Sequence, residues 1–245
     1  MKIKTIPASE QVFDYIKNAI VSGEWKVNER IPSEIEMAER FGVNRLTVRM
    51  ALKKLVALGI LETRTGDGTY VREFHFRDYI SQIKDFYMTP ELLRSVYQFR
   101  RVTELECGRL AIQTASDEEI GELRKLYEEY QEMKEQYPGL KAQDGEDFIE
   151  RFVRKDIEYH CKIVAMSHNE LFIYSYDVAR EPIARYVDIL VRKRIESWKK
   201  KGIQASNWND QHREMFEAIC RRDFPAYQKA LEQMVDFEVD LAETL

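Results

Sequence analysis

IPSEIEMAERFGVNRLTVRMALKKLVALGIL, residues Ile31 to Leu61, reads as two short helices joined by a tight turn. Phe41-Gly42-Val43 closes the first helix, and Asn44 is a polar N-cap that opens the second. Between Arg40 and Leu61 stand five basic residues (Arg40, Arg45, Arg49, Lys53 and Lys54) and no acidic one. Val48, Leu52 and Leu55 recur at helical spacing and mark an inward face. Arg45, Arg49 and Lys53 follow one another at four-residue steps on another side. A helix anchored by one face, with a basic N-terminal half, has the geometry of a recognition helix in a DNA major groove. An ordinary amphipathic helix with a solvated basic side shows the same pattern, so the flanks must separate the two.

The flanks favour DNA. Upstream, Glu10 to Ser22 places Val12, Ile16, Ala19 and Ile20 on one helical face, and Gly23 supplies the C-cap. An extended link leads to Ser33, which with Glu36 forms a capping-box pattern, so the next helix starts near Glu34. Downstream, Gly59 ends the recognition helix. Ile60 to Arg64 then alternates like a strand, Thr65-Gly66-Asp67-Gly68 turns, and Thr69 to Arg72 returns. A two-stranded hairpin directly after a helix-turn-helix is a winged helix.

Composition limits what the rest can be. The chain has 245 residues, 44% hydrophobic and 33% charged, enough for two domains with a sizeable core. No apolar run approaches the roughly 20 residues that a membrane span needs. The start MKIKTIPASE lacks the apolar segment of a secretory signal, so a cytoplasmic protein is expected. Cys107, Cys161 and Cys220 stand far apart without a CxxC pair, which argues for buried small hydrophobes over a disulfide framework or zinc finger. The net charge of −5 is unevenly spread: residues 1–74 hold 12 Lys/Arg against 10 Asp/Glu, leaving the acidic excess to the remainder. Nucleic-acid binding needs such a local basic patch, whatever the whole-chain balance.

With these pieces in order, residues 10–72 resemble the DNA-binding domain of the GntR family of bacterial transcriptional regulators. The matching elements are I-x3-I-x-S-G, IPSE, F-G-V-x-R-x-T-V-R, A-L-x-x-L, L-G-I-L and G-x-G-T-Y-V. The resemblance implies a homodimer reading a palindromic operator, with each recognition helix in a major groove and each wing near the minor groove. By position, Arg45 and Arg49 match arginines that contact bases and phosphates, and a guanidinium can take guanine O6 and N7 together where a lysine cannot. Thr47 matches a hydroxyl contact, and Arg64, Gly66 and Gly68 match the wing. Two positions depart from the family pattern: Ile35 stands where many members carry a DNA-contacting arginine, and Asn44 where they carry Ser or Thr. Asn44 either reads an adenine or caps the helix, and the cap is the simpler role.

From Glu73 to Thr89 the chain reads as a linker with room for a short helix, and it ends at Pro90. The resulting division is 1–74 for the winged helix, 75–90 for the linker and 91–245 for a second domain. In that domain Gly and Pro become scarce and amphipathic segments succeed one another over about 91–113, 117–137, 144–167, 169–199, 207–222 and 224–243. Strand alternation is absent. The expected fold class is therefore mainly α: a winged helix-turn-helix followed by an all-α bundle of six or seven helices.

Three of these helices carry ionisable residues on faces that should be buried. Asp156 and His160, at i and i+4, interrupt the stripe of Phe148, Phe152, Tyr159 and Ile163. His212 shares a face with Met215, Phe216 and Ile219, and Arg100 shares one with Leu93, Val96, Thr103 and Cys107. Any one of them alone reads as a satisfied core residue. Together they point to a polar cavity, because buried ionisable groups must be paired, neutralised or bound to something. His75, in the linker, and His168, at a helix junction, need no such role.

D-x-E-Y-H, then S-H-N-E-L-F, then H-R-x-M-F-x-A-I-x-x-R-D, with Arg100 and Glu104 upstream as R-x3-E, resemble the FCD effector-binding domain of the FadR-like subfamily. This second resemblance spans about residues 91–240. It implies a divalent metal (zinc, nickel or manganese-like) held by one Asp and three His, beside a small carboxylate effector. Asp156, His160 and His212 match three of those ligands, and Arg100 suits the effector carboxylate. Met234 stands where the fourth ligand belongs, and a thioether is a poor partner for such an ion. Glu238, one turn later, is a possible substitute, and three protein ligands with effector oxygens or water would also complete a site. Some relatives carry no metal and bind larger acyl ligands.

The leading expectation is a cytoplasmic, dimeric transcriptional regulator, by expectation a repressor, responding to a small organic acid or acyl effector. A metal-dependent enzyme using Asp156, His160 and His212 is the rival from another class, but it leaves the winged helix unexplained and has no evident general base. A bundle serving only to dimerise is the third reading.

Overall fold

The computed structural model describes residues 6–75, 80, 82–136, 145–201 and 211–242, apart from the side chains of 84–85, 197–201 and 235–242. It divides into two compact units, Met1–Gln82 and Ile83–Leu245.

In the first unit, α1 (Ala8–Val21), α2 (Glu34–Phe41) and α3 (Arg45–Ala57) precede β1 (Leu61–Arg64) and β2 (Gly68–Val71). Each boundary has a local chemical cause. The helix expected from Glu10 starts at Ala8, because Pro7 fixes an extended backbone before it and its carbonyl accepts from Glu10 and Gln11. At α2 the capping box is complete: Ser33 Oγ accepts from the Glu36 amide at 3.3 Å, and Glu36 Oε2 accepts from the Ser33 amide at 2.7 Å. Gly42 closes α2 in the left-handed conformation at φ 63°, which a side chain would resist. Asn44 then caps α3, its Oδ1 accepting from the Thr47 amide at 2.8 Å and from the Thr47 hydroxyl at 3.0 Å.

β1 and β2 pair antiparallel in the register Leu61↔Val71 to Arg64↔Gly68. The preceding link lies along β2, with the Ile31 amide donating to Thr69 O and the Val71 amide to Glu29 O, both at 2.9 Å. One core joins these parts, built from Ile16, Met37, Val48, Leu55, Leu61 and Val71. The inward positions read from the α3 sequence are all in it.

In the second unit a short helix α4 (Lys84–Tyr87) precedes six long ones: α5 (Pro90–Thr114), α6 (Asp117–Gln136), α7 (Gly145–Ala165), α8 (Glu170–Lys201), α9 (Gln211–Cys220) and α10 (Phe224–Ala242). The sheet of the first unit is the only one among the described residues. The expected helix limits hold to within a few residues where they are described; parts of the segments expected at 137, 144, 207–210 and 243 lie outside the described residues. Pro90 sits at the first turn of α5, where its missing N–H costs nothing, and Thr89 Oγ1 accepts from the Leu92 amide at 3.2 Å.

α5 packs against α7, α8 and α10, and α7 against α6 and α8. At Gly108 the ring of Tyr227 on α10 lies so close that an added Cβ would stand 2.0 Å from Cε1. The far end of α5 is held from the α9–α10 turn. Arg222, itself at φ 56°, donates to the carbonyls of Ala111, Ile112 and Ala115 at 3.3, 2.9 and 2.5 Å. Ile112 and Ala115 lie at the end where a helix leaves carbonyls without intrahelical partners, while Ala111 O also accepts the Ala115 amide at 2.9 Å.

Gly108→Ala should destabilise the second unit by about 1–3 kcal/mol, since the buried Tyr227 ring cannot give way without disturbing its neighbours. Urea unfolding followed by circular dichroism checks this, and an unchanged midpoint would show that α5 and α10 tolerate separation.

Candidate functional site

Two regions carry the residues singled out from sequence. The first is the exposed face of α2, α3 and the wing. Arg49 projects from α3 onto Glu34 at the start of α2, and the pair is a two-pronged fork. Arg49 Nε lies 2.9 Å from Glu34 Oε1, and Nη2 lies 2.7 Å from Oε2. Arg45 Nη2 approaches the same carboxylate at 4.0 Å. Hydrogen bonding from Arg49 outweighs the small burial of Glu34 and lowers its pKa.

Thr47 is tied to Asn44 as described. In the wing, Arg64 is paired with Glu62 and its guanidinium stacks over the Tyr70 ring at 4.1 Å. Gly66 holds φ 78° in the turn, and Gly68 faces the Arg30 side chain. The structure also shows what periodicity did not assign: Ile35, Leu46 and Met50 are 49%, 63% and 56% exposed on this basic surface. Ile35 shares a groove of about 370 Å³ with Asn44 and Arg45.

The second region lies inside the helical unit. Arg100, Asp156, His160 and His212 come from three helices and are all buried. His160 Nε2 lies 3.2 Å from His212 Nε2, and His212 Nε2 lies 3.1 Å from Asp156 Oδ1. One ligand atom from each of these three residues falls within 4.8 Å of the others. Tyr159, next to His160, donates to the His212 carbonyl at 2.9 Å and so fixes α9 against α7.

These buried ionisable groups are ion-paired, and Glu104 supplies the countercharge to Arg100. Lying one turn after Arg100, it accepts from Arg100 Nε at 2.7 Å and from the Tyr176 hydroxyl of α8 at 2.7 Å. Its other oxygen is 3.0 Å from His160 Nδ1, close enough for an ionic contact but outside good hydrogen-bond alignment. Arg100 Nη2 reaches within 3.4 Å of His160 Nε2. The motif R-x3-E contained Glu104, but its role needed the fold; Tyr176 gave no signal, since only the packing of α8 on α5 brings it here. Met234 is buried in the apolar cluster with Tyr227, Ala230 and Leu231. The side chain of Glu238 lies outside the described residues.

Protonation follows from this arrangement. Burial resists ionisation of Glu104, but Arg100 and His160 overcome it and hold the carboxyl well below the usual carboxylate range. Burial likewise resists a charged His160, yet Glu104 wins and its pKa is raised. Asp156 is also opposed by burial and rescued by His212, which brings its pKa down to about 2. His168 and His75 have ordinary surface roles: His168 Nε2 sits 2.7 Å from Glu119, and His75 is exposed near Glu73.

Comparison with known proteins is consistent across both units. Residues 8–71 match "Bacterial regulatory proteins, gntR family", and residues 95–237 match the FCD domain. The HTH-type transcriptional repressor NanR of Klebsiella aerogenes is 26% identical over 229 residues, 91% of this chain and 81% of that protein. The Glc operon transcriptional activator of Escherichia coli is 27% identical over 178 residues, 71% and 66% of the two chains. A solved structure described as Streptococcus agalactiae GntR superposes with a TM-score of 0.60 at 25% identity, covering 93% of this chain and 97% of that one. Other curated relatives are matched over only 14% to 33% of their length.

An Asp156 pKa of about 2, below the ordinary aspartate value of 3.8, means that its ionisation stabilises the fold above pH 3.8. That contribution is lost as pH falls through about 2. Metal-free protein should therefore lose stability steeply between these values, and Asp156→Asn should flatten the loss in an acid titration of chemical unfolding.

Proposed function

This chain belongs to the GntR family of bacterial regulatory proteins and carries an FCD domain; we propose that it acts as a homodimeric repressor whose bundle holds a divalent metal and a small carboxylate. It is a DNA-binding transcriptional regulator with a ligand-sensing domain, not an enzyme. In this reading residues 1–74 bind DNA, 75–90 link, and 91–245 sense the effector and dimerise.

The convergence of two imidazole nitrogens and a carboxylate oxygen in a buried bundle carries the proposal. Two ligands held about 2.1 Å from one ion lie roughly 3.0–3.4 Å apart. The separations of 3.2 Å between His160 and His212, and 3.1 Å between His212 and Asp156, fit that spacing. Mixed imidazole and carboxylate donors suit zinc, nickel or manganese-like ions. Glu104 against His160 Nδ1 would keep a proton on that nitrogen, so that an ion displacing the other proton would meet Nε2 as the donor. Met234 belongs to the core, so effector oxygens or water would complete the donor set. A bound ion would supply concentrated positive charge to attract an anionic effector. Arg100 adds a second cation beside it, suited to a carboxylate. A metal-free site for a larger acyl ligand is the alternative.

On the DNA side, Arg45, Thr47 and Arg49 would enter the major groove, with Asn44 capping their helix, while Arg64, Gly66 and Gly68 would approach the backbone from the wing. A palindromic operator would match a two-fold dimer. For the dimer contact, α5 and α8 offer a mainly apolar groove, interrupted by Ser95 and Ser175. Leu92, Val96 and Phe99 with Val178, Ala179 and Pro182 line a groove of about 380 Å³. Val102 and Leu171 on the same helices are 69% and 73% exposed. Among the described residues no helix is long and apolar enough to cross a membrane, and the proposed place of action is the cytoplasm, where the operator would be. Repression is preferred because NanR, named a repressor, is matched over 91% of this chain and 81% of its own, against 71% and 66% for the Glc operon transcriptional activator.

Two measurements test this reading. Protein purified without chelator should contain about one divalent ion per chain by elemental analysis, and His212→Ala should lose it; a metal-free wild type would favour the acyl alternative. Arg49→Ala should abolish the mobility shift of operator-like DNA at moderate salt, and an unchanged shift would overturn the assignment of the α3 face.

A further inference from the structure

The fork between Arg49 and Glu34 uses one particular edge of the guanidinium. Nε and Nη2 are engaged by the two carboxylate oxygens, at 2.9 and 2.7 Å, with a third contact of 3.1 Å between Nε and Oε2. A guanidinium has two edges that can donate in parallel: the side edge, Nε with Nη2, and the end edge, Nη1 with Nη2. Glu34 takes the side edge, so the end edge remains for a planar partner with two acceptors. Guanine O6 and N7 form such a partner in the major groove.

Two further details fit. Glu34 is the first residue of α2, fixed by the capping box one residue before it, and so is a stiff platform for a long side chain. Arg45 lies 4.0 Å from the same carboxylate, which places both arginines around one acid.

We propose that Glu34 is the positioning residue for base reading: its carboxylate grips the side edge of Arg49 and presents the end edge to one guanine in each half-site. The acid acts in two ways. It restricts a flexible side chain to one orientation, so that guanine is met without a further ordering cost. It also cancels one positive charge on the recognition surface, which weakens attachment to phosphates of any sequence. Glu34 thus trades general affinity for selectivity. The inference rests on the α3 face being the DNA-reading surface.

The test uses the full-length protein and a duplex chosen by the wild type from a random pool, compared with a scrambled duplex of equal length. Anisotropy titrations over a range of NaCl give both the affinity ratio and the salt slope. Glu34→Gln should bind scrambled DNA more tightly, with a slope steeper by about 0.9, because the positive charge that the carboxylate cancelled becomes available to a phosphate. Its preference for the selected duplex should fall about tenfold, within the range of one bidentate base contact. Glu34→Asp keeps the charge but withdraws the carboxylate by one methylene, so it should keep the wild-type slope and still lose preference. Asp14→Asn, the same charge change on α1, should alter neither.

Replacing single guanines of the selected duplex by 7-deazaguanine should cost wild-type affinity at one guanine per half-site, and the cost should shrink in Glu34→Gln. If Glu34→Gln keeps the wild-type ratio and slope, or loses affinity equally on both duplexes, the positioning role is wrong. A wild type that selects no sequence would instead refute the DNA-reading face beneath it.

Discussion

A guanidinium in the middle of an apolar helical bundle has to be neutralised, and the second unit is arranged around how Arg100 meets that demand. Its partner, Glu104, comes from the same helix one turn away, and both are 1% exposed. Removing one member of such a pair costs about 3–5 kcal/mol, chiefly because the other is left buried and unpaired. A single carboxylate also binds more than one neighbour: Tyr176 brings in α8 and His160 brings in α7. His160 is then fixed where His212 and Asp156 can meet it. The polar cluster is therefore a consequence of one compensated charge, extended outward by ionic contacts and hydrogen bonds across four helices.

The same chemical pair recurs in the first unit with the opposite energetics. Arg49 and Glu34 have good fork geometry, but their side chains are 46% and 27% exposed. An ion pair at such a surface contributes about 0–1 kcal/mol, so it orients a side chain without committing the fold to it. Burial decides the difference. In the bundle the pair is part of the architecture; on α3 it is available to be modified by a partner that approaches from solvent.

Local chemistry was legible in the sequence because its partners are close in the chain. Ser33 with Glu36, Asn44 with Thr47, and the glycines of the turns announced their elements, and the structure places the ends within a residue or two. The two-residue earlier start of α1, at Ala8, reflects Pro7 setting the backbone ahead of the apolar periodicity. Arg100, Asp156, His160 and His212 were visible as charges on faces that should be apolar. What periodicity could not provide was the pairing. Tyr176 and Glu104 are 72 positions apart, Arg49 and Glu34 15, and no helical repeat links them. For that reason the charges were visible in the sequence while the pairs they form were not. Exposed Leu46 and Met50 were missed for a related cause: an apolar residue off the core stripe leaves no trace in a periodic pattern.

Arg222 gives the bundle an unusual sensitivity to chain length. By position it is a turn residue between two helices, the kind of place where insertions are ordinarily absorbed. Yet its guanidinium is the C-terminal clasp of α5, more than a hundred residues earlier in the chain. Adding a residue to that turn would shift the clasp and unfasten the helix carrying Arg100 and Glu104, even though neither helix of the turn contains them. Divergence in this domain should thus favour substitutions over insertions at the α9–α10 junction, and length variation should collect at junctions that fasten nothing remote.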